Sequence, residues 1–493
     1  MLKTIKLLKN KYFRKVNKEK FLFYLIIFPA LIVRIINLNY NTPFNDEAIY
    51  VVVGKMGLFA NDWWSYGARL WMAGLPYLYP SLTAMAYQVG GIIGSRLLNV
   101  FFGVFLVEEV YRFTRMLNIF NSKKYNLPAA LIASFIVAFS YVGIFVSKLA
   151  TYDIPTYFLM LFSINSFIKA NYFNNGKYYF LAAVSLLAAF LMKIVTALFF
   201  PVLFILSVIE IRKRNNFHKK LWYLYGLVPF VLGILFYALF FGRDILIYAS
   251  SQTTRDSDFL QSIIHVIWEN SYVTLIMSCI SLYILLLIRR VKSVLGLLAL
   301  ALIIPIFHIS LMRYPTLNKH IYLTIIFLSP IIGYTFAYLM DSKNKIIAFV
   351  IRLSVLVLAI IYLAILPKNL YRLEHDWINT ANLKKFLSTN VQMGDKVLAE
   401  TGADVVLSLY NKTYPPGNIF TLDWIEYSGM SDDTAYIQAI RDKYFDYIEL
   451  DNKNEAKKEL AMKILTEIDG RYKLIYEEGF FKVYSRSREN SER

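Results

Sequence analysis

Long apolar runs separated by short polar breaks fill the first three-quarters of the chain, and a mixed pattern follows. A membrane-crossing helix needs about 20 largely apolar residues. Runs of that kind predict spans at 21–38, 95–111, 128–147, 154–170, 178–192, 194–211, 221–241, 271–288, 294–311, 321–340 and 346–366, which makes eleven. The fifth and sixth are short, with Lys193 as the only charge between them. The stretch 77–94, "YLYPSLTAMAYQVGGIIG", is apolar too. As a full span it would push the basic loop "YRFTRMLNIFNSKKYN" outside, against the positive-inside rule. It reads instead as a re-entrant or interfacial helix, packed on protein or lining a cavity. Beyond residue 366, "KVLAE", "NIFTL", "DYIEL", "KLIYE" and "FFKVYSR" predict short strands. "NTANLKKFLST" and "TAYIQAIRDKYF" are amphipathic helical stretches between them. The expected fold is a polytopic α-helical membrane protein of about 11 transmembrane helices with a C-terminal soluble α/β domain. Residues 1–366 form the membrane domain, with a first external loop at 39–94, and residues 367–493 form the tail domain.

Charge sharpens this division. The 493 residues are 57% hydrophobic and 18% charged, with a net charge of +19. Residues 1–366 hold 35 Lys+Arg against 13 Asp+Glu; residues 367–493 hold 18 against 21. The basic excess lies in segments 1–20, 112–124, 169–177, "RKRNNFHKK", "RRVK" and "SKNK", which the positive-inside rule assigns to the cytoplasm. No nucleic-acid partner is needed to explain it. The N-terminus is then cytoplasmic and reads as a retained anchor, while residues 39–94 and the tail domain are extracytoplasmic. Cys279 is the single cysteine, so no internal disulfide forms. Asn411-Lys412-Thr413 is a glycosylation sequon of a kind that arises often by chance.

Ionisable residues at membrane depth or at its edge are expensive and usually functional. Those expected on the outer side are Asp46, Glu47, Lys55 and Arg69 in the first loop, Arg96, Asp153, Lys193, and Arg313, Lys319 and His320 in "MRYPTLNKHIYL". Cations suit an anionic group such as a phosphate. A carboxylate can take a proton from an attacking hydroxyl. A lipid phosphate lies at this depth. One reaction fits all three facts: an acceptor hydroxyl displaces a polyprenyl phosphate from the anomeric carbon of a sugar. Direct displacement inverts that centre.

Several stretches together resemble the GT-C class of integral-membrane glycosyltransferases, closest in kind to the protein O-mannosyltransferases and the lipid A aminoarabinose transferase. They are "NDEAIY", "YPSLTAMAYQVGG", "GSRLLNVFFGVFLVEEVYRFTRML", "VSKLATYDIPTYFLMLF", "LMKIVTALFFPVLFIL" and the outer "KHIYL" with "LSPIIG". Each is weak alone; their order and spacing carry the resemblance, which covers most of residues 21–366. It implies a sugar donor on a polyprenyl phosphate, a hexosyl or pentosyl transfer outside the cytoplasm, and a glycan, lipid or protein acceptor. Asp46 would be the general base, Glu47 would position the acceptor or support the loop, and Asp153 would help hold the site. Lys193, Lys319 and His320 would meet the donor phosphate; Tyr50, Lys55 and Arg69 are possible sugar or acceptor contacts. Relatives of the aminoarabinose transferase often carry Lys-Pro-Pro before the interfacial helix. Leu78-Tyr79-Pro80-Ser81 stands here, so another cation must serve.

Plainer roles exist for the same residues. Asp46 and Glu47 can cap a helix start, and Asp153 can do so ahead of Pro155. Lys193 can snorkel to the interface. Lys319 and His320 can anchor there with Tyr322, and so can Arg313. Glu108 and Glu109 can pair with Arg112 by helical spacing. Trp63, Trp64, Tyr66 and Trp71 can form an aromatic belt or stack on sugars. Two carboxylates and a histidine can hold a divalent cation, although no ligand motif demands one. Two other functions compete. A transporter or flippase of lipid-linked glycans favours charged sites near the midplane and paired broken helices. A non-catalytic protein would bind envelope glycan through its tail.

Overall fold

The computed structural model describes residues 2–62, 78–253, 259–314, 316–412, 419–422, 425, 427–430, 432–451 and 458–487. They form two compact units. The first comprises the described residues of 1–38, 67–79 and 93–374; the second comprises those of 39–66, 80–92 and 375–493.

The first unit is helical. Among the described residues, seven helices are long and apolar enough to cross a membrane: Leu78–Met116, Ile194–Arg212, Asn216–Ile247, Leu260–Leu287, Val291–Ser310, Leu317–Leu339 and Lys345–Glu374. A bent pair, Lys123–Phe139 with Tyr141–Lys148, is either a broken eighth span or a re-entrant loop. The sequence pattern predicts eleven, and the shortfall has local causes. The helix Asp153–Phe173 lies over the expected span 154–170, but it carries Ser163, Asn165, Ser166 and Asn171 on buried positions. Gly176–Met192, over 178–192, is only 17 residues long. The expected first span continues a helix that begins at Leu2 and ends at Ile35.

Within the apolar stretch 77–94, a break at two glycines sets the start of a long helix apart from the rest of it. The helix Leu78–Met116 is interrupted at Gly90 (φ −141, ψ 20) and Gly91 (φ 59, ψ −151). The Gly91 conformation is open only to a residue without a Cβ.

Leu317–Leu339 is the inner helix of this unit, buried along nearly its whole length. Small residues let its neighbours approach. A Cβ on Gly333 would lie 2.4 Å from the Ala129 carbonyl oxygen, and one on Gly143 would meet the Tyr322 ring at 2.3 Å. This is close packing of the kind that holds membrane helices together. The break of 58° at Ser140 frees backbone carbonyls. Tyr322 OH donates to Val137 O at 2.9 Å, and Arg34 Nη1 donates to Ala138 O at 2.8 Å. Buried polar backbone in an apolar body needs such partners. The helix Val228–Thr253 exposes Phe236, Leu239 and Phe240, as a lipid-facing surface requires.

The second unit is a three-layer α/β domain. Its strands are β1 (Val397–Ala399), β2 (Ile419–Thr421), β3 (Tyr447–Leu450), β4 (Tyr472–Glu478) and β5 (Phe481–Arg486). The sheet order is β2-β1-β3-β5-β4, with β2, β1 and β3 parallel and β5 and β4 antiparallel. Side chains alternate between two cores, as strand geometry dictates. Val397 and Ala399 enter one; Leu398, Ile448 and Leu450 enter the other. The first core also receives Ala48, Val51, Val52 and Met56. Those residues share a face of the helix Asn45–Ala60.

The division expected at 366/367 therefore moves. Lys345–Glu374 runs through Pro367 as one helix, so the tail begins near His375. Most of the first external loop packs with the tail because helix 45–60 buries its apolar face there.

Glu449 is buried in the middle of β3. It accepts from Thr401 N at 3.0 Å and Thr401 Oγ1 at 2.7 Å. Burial pushes its carboxyl up to about 8, with Glu400 and Asp451 adding to the rise and the Thr401 bonds opposing it. The unfolded chain releases this proton near 4.5. Between those values the folded unit holds a proton that the unfolded chain lacks. Stability should therefore fall as pH rises through that window, by up to about 1.4 kcal/mol per pH unit. Hydrogen-exchange protection of β1 and β3, corrected for intrinsic exchange, measures this. Glu449→Gln should flatten the slope; an unchanged slope contradicts the assignment.

Candidate functional site

Each unit carries part of the expected residue set. In the first, Asp153 and Lys193 come together although 40 residues separate them. The helix Gly176–Met192 ends at Lys193, which adopts an extended conformation (φ −150, ψ 115) before a 3-10 turn over Ile194–Phe199. That break turns the lysine inward. Asp153 opens the helix Asp153–Phe173, with Pro155 in its first turn. The connection before it is held by Asn99, whose side-chain amide donates to the carbonyls of Leu149 and Thr151. Tyr79 OH in turn donates to Asn99 Oδ1 at 3.1 Å.

The Asp153 carboxylate is fully buried. It accepts from Lys193 Nζ, from Thr151 Oγ1 at 2.8 Å and from Tyr157 OH at 3.4 Å. Lys193 Nζ also lies 2.6 Å from His320 Nε2 and 4.7 Å from the Tyr152 ring centroid. His320 Nδ1 contacts His308 Nε2 at 2.9 Å. Lys319 is buried beside them, and its carbonyl accepts from Tyr157 OH at 3.4 Å. Three expected cationic or imidazole residues and one expected carboxylate thus share one buried cluster. A buried ion is tolerable only when paired and hydrogen-bonded, and this one is both.

Arg96 takes another partner, and Arg313 reaches the cluster through its backbone carbonyl. Arg96 is buried and donates to Leu38 O at 2.8 Å. The Arg313 carbonyl meets His308 Nδ1 at 2.8 Å. Arg112 pairs with Glu109 at 2.8 Å and with Glu108, as their spacing suggests.

The second unit carries Asp46, Glu47, Tyr50 and Lys55 on helix 45–60. Glu47 is fully buried, and its Oε2 accepts from Phe44 N at 2.8 Å, closing the loop onto the helix start. Asp46 is the more exposed of the two acids. The segment before them is fastened to the tail. Trp377 Nε1 donates to Thr42 O at 3.0 Å, Asn41 Nδ2 to Trp377 O at 3.1 Å, and Ala403 N to Asn45 Oδ1 at 3.2 Å. Tyr40 and Phe44 pack edge-on against the Trp377 ring. Asp404, next to Ala403, accepts from Lys384 Nζ at 3.0 Å and from Thr380 Oγ1. Burial raises its carboxyl above the ordinary range; Lys384 and Thr380 oppose the rise and Glu47 adds to it. Lys55 lies 4.0 Å from the Tyr410 ring centroid and 5.5 Å from that of Tyr87. Burial lowers its pKa. Tyr50 is buried. Arg69, Trp63, Trp64, Tyr66, Trp71 and Thr413 lie outside the described residues.

Sequence reasoning missed His308, Thr151, Tyr157 and Asn99. His308 had a signal: it is an ionisable residue inside the apolar run "LALALIIPIFHIS". The others are neutral and carry none without the fold. The buried pair Lys148–Glu374 was also missed. Among the described residues, no group of three or more His, Cys, Asp or Glu forms a candidate metal site.

Two comparisons bear on the fold. Residues 91–238 match the family described as dolichyl-phosphate-mannose-protein mannosyltransferase. That stretch contains Asp153 and Lys193. Over 94% of its length the chain shares the fold of the solved structures that follow, and seven of its described helices are long and apolar enough to cross a membrane. Among solved structures, it is similar to ArnT from Cupriavidus metallidurans bound to undecaprenyl phosphate. The identity is 11% over 94% of this chain and 97% of that one, with a TM-score of 0.58. It is also similar to the Archaeoglobus fulgidus oligosaccharyltransferase in the apo form. There the identity is 11% over 94% of this chain and 74% of that one, with a TM-score of 0.54. The same archaeal enzyme, AglB, in complex with an inhibitory peptide and a dolichol-phosphate matches at 12% identity with the same coverage and a TM-score of 0.52. No curated protein matches in sequence.

Replacing one partner of a buried ion pair strands the other. Lys193→Met should therefore lower stability by about 3–5 kcal/mol. Adding Asp153→Asn should restore most of it. Thermal unfolding in detergent measures both, and equal losses in the single and double variants contradict the pairing.

Proposed function

We propose that the protein is a glycosyltransferase that moves a sugar from a polyprenyl-phosphate donor to an acceptor hydroxyl on the extracytoplasmic side of the membrane. The observation that carries this reading is the buried Lys193, held by Asp153 and His320 inside the helical unit. A lipid phosphate brings an anion to membrane depth, and a pre-oriented ammonium there stabilises the charge that develops as the phosphate leaves. Lys193 receives the phosphate, with Lys319 and His320 adjoining it. Asp153 orients Lys193. Asp46 takes the proton of the acceptor hydroxyl as it attacks the anomeric carbon. Glu47 supports the loop through Phe44 N. The C–O bond to the phosphate breaks as the new glycosidic bond forms, which inverts the anomeric centre.

The fold similarity to ArnT and to the archaeal oligosaccharyltransferase supports this reading, as does the family match over residues 91–238. The acceptor is a glycan, a lipid or a protein. A divalent cation is not needed for this scheme. The N-terminus is cytoplasmic and the α/β unit extracytoplasmic, by the distribution of basic loops.

The test is release of free polyprenyl phosphate. Full-length protein in lipid nanodiscs is given a panel of polyprenyl-phosphate sugars and a cell-envelope extract. The wild type should release polyprenyl phosphate from one donor, and Asp46→Asn should lose at least a hundredfold in rate, the order of a general base's contribution. No release by folded wild-type protein from any donor contradicts the proposal and favours transport or binding.

A further inference from the structure

The cluster in the helical unit is a chain of hydrogen bonds with a direction. It begins at the turn that ends the helix Leu295–Ser310. There Arg313 N donates to His308 O at 3.1 Å, and His308 Nδ1 lies 2.8 Å from Arg313 O. A carbonyl oxygen only accepts, so the hydrogen of that second contact belongs to His308 Nδ1. Met312, at φ 49, turns the backbone so that both contacts form.

The remaining protons follow from this one. A neutral His308 protonated at Nδ1 has an accepting Nε2, which faces His320 Nδ1 at 2.9 Å. His320 Nδ1 then carries a hydrogen, and a neutral His320 accepts at Nε2. Lys193 Nζ lies 2.6 Å from that Nε2. An ammonium has donors and no acceptor, so it fits this place and also donates to Asp153. Every contact from Arg313 O to Asp153 is then satisfied.

The reverse arrangement places the proton on His308 and leaves Lys193 neutral. It moves a proton from a base of ordinary pKa about 10.4 to one of about 6.5. It also takes positive charge away from the buried Asp153 carboxylate. Both effects favour the first arrangement.

We propose that His308 is a positioning residue: by accepting from His320 Nδ1 it makes His320 Nε2 an acceptor, and so aims the Lys193 ammonium that receives the donor phosphate. The phosphate role of Lys193 rests on the function proposed above; the proton arrangement stands without it. His308 does not itself touch Lys193 or Asp153 through any of these bonds. Its effect passes through the orientation of the His320 ring, as outer partners fix the tautomer of a functional histidine elsewhere.

Nitrogen-15 NMR of histidine-labelled, full-length protein in lipid nanodiscs tests this. The chain has five histidines, and single substitutions assign them. His308 and His320 should both be neutral with hydrogen on Nδ1. His308→Gln keeps an acceptor facing His320, because the glutamine amide oxygen reaches roughly where the ring Nε2 lies. In that variant the His320 tautomer should persist, and KM for the polyprenyl-phosphate sugar should stay within about twofold. His308→Leu removes the acceptor. His320 should then shift towards hydrogen on Nε2, and KM should rise about tenfold, the equivalent of one hydrogen bond to a charged group.

An imidazolium or an Nε2–H tautomer at His320 in the wild type overturns the proposal. So does a His320 tautomer that His308→Leu leaves unchanged. The wild-type spectrum decides even where the leucine variant fails to fold. Nδ1–H tautomers in a protein that releases no polyprenyl phosphate would uphold the proton arrangement and sink the phosphate role of Lys193.

Discussion

A charge inside an apolar helical body must find a partner there, and the helical unit is organised around that constraint. Desolvation costs several kcal/mol per ion, and only close pairing and further hydrogen bonds offset it. Three buried groups show the solution. Arg34 bonds Ser147 Oγ and the carbonyls of Ala30 and Ala138, which joins the N-terminal helix to the bent pair. Lys148, at the end of that pair, meets Glu374 at the end of the helix Lys345–Glu374. Lys193 meets Asp153 and His320. Each group ties together helices that are far apart in sequence. The third differs from the others because it joins an ammonium, a carboxylate and two imidazoles in one chain. Structural stitching needs only a pair.

The α/β unit answers a different constraint. An isolated acidic loop at a membrane surface has little to hold it. Here the helix that follows the loop donates its apolar face to a sheet-backed core, while Trp377 and Thr380 hold Thr42 and Ala403 holds the Asn45 side chain. Glu47 completes the helix start from within. Asp46 is left as the carboxylate of the pair that is not fully buried. The two acids of "NDE" are therefore neighbours in sequence with unlike surroundings, and unlike surroundings are what separates a proton acceptor from a structural cap.

Much of this was legible in the sequence, for a physical reason in each case. The five strands of the tail lie where short runs rich in β-branched and aromatic residues predict them, because such side chains fit a packed, pleated surface. Helices 403–409 and 458–468 escaped, since the first is only seven residues long and buried on nearly every side, and the second follows a polar run. Asp153, Lys193, Lys319 and His320 stood out as charges among apolar residues. That Lys193 turns inward was not readable, because it depends on an extended residue between two helices. The packing of helix 45–60 against Leu383, Leu387 and Val406 was hidden as well. A helix's apolar face announces that it is buried, but not against what. The count of crossing helices suffered from polar residues inside Asp153–Phe173, which serve helix contacts: Ser163 Oγ donates to Ala182 O, and Asn165 Nδ2 to Glu109.

The account stands on one placement: a lipid phosphate at Lys193. A cryo-EM structure of the full-length protein in nanodiscs containing polyprenyl phosphate tests it most directly. The phosphate should lie within hydrogen-bond distance of Lys193 Nζ, with Asp153 still against the same ammonium. Phosphate density bound elsewhere, with the Lys193 cluster unchanged and unliganded, would contradict the account and reduce that cluster to another structural tie.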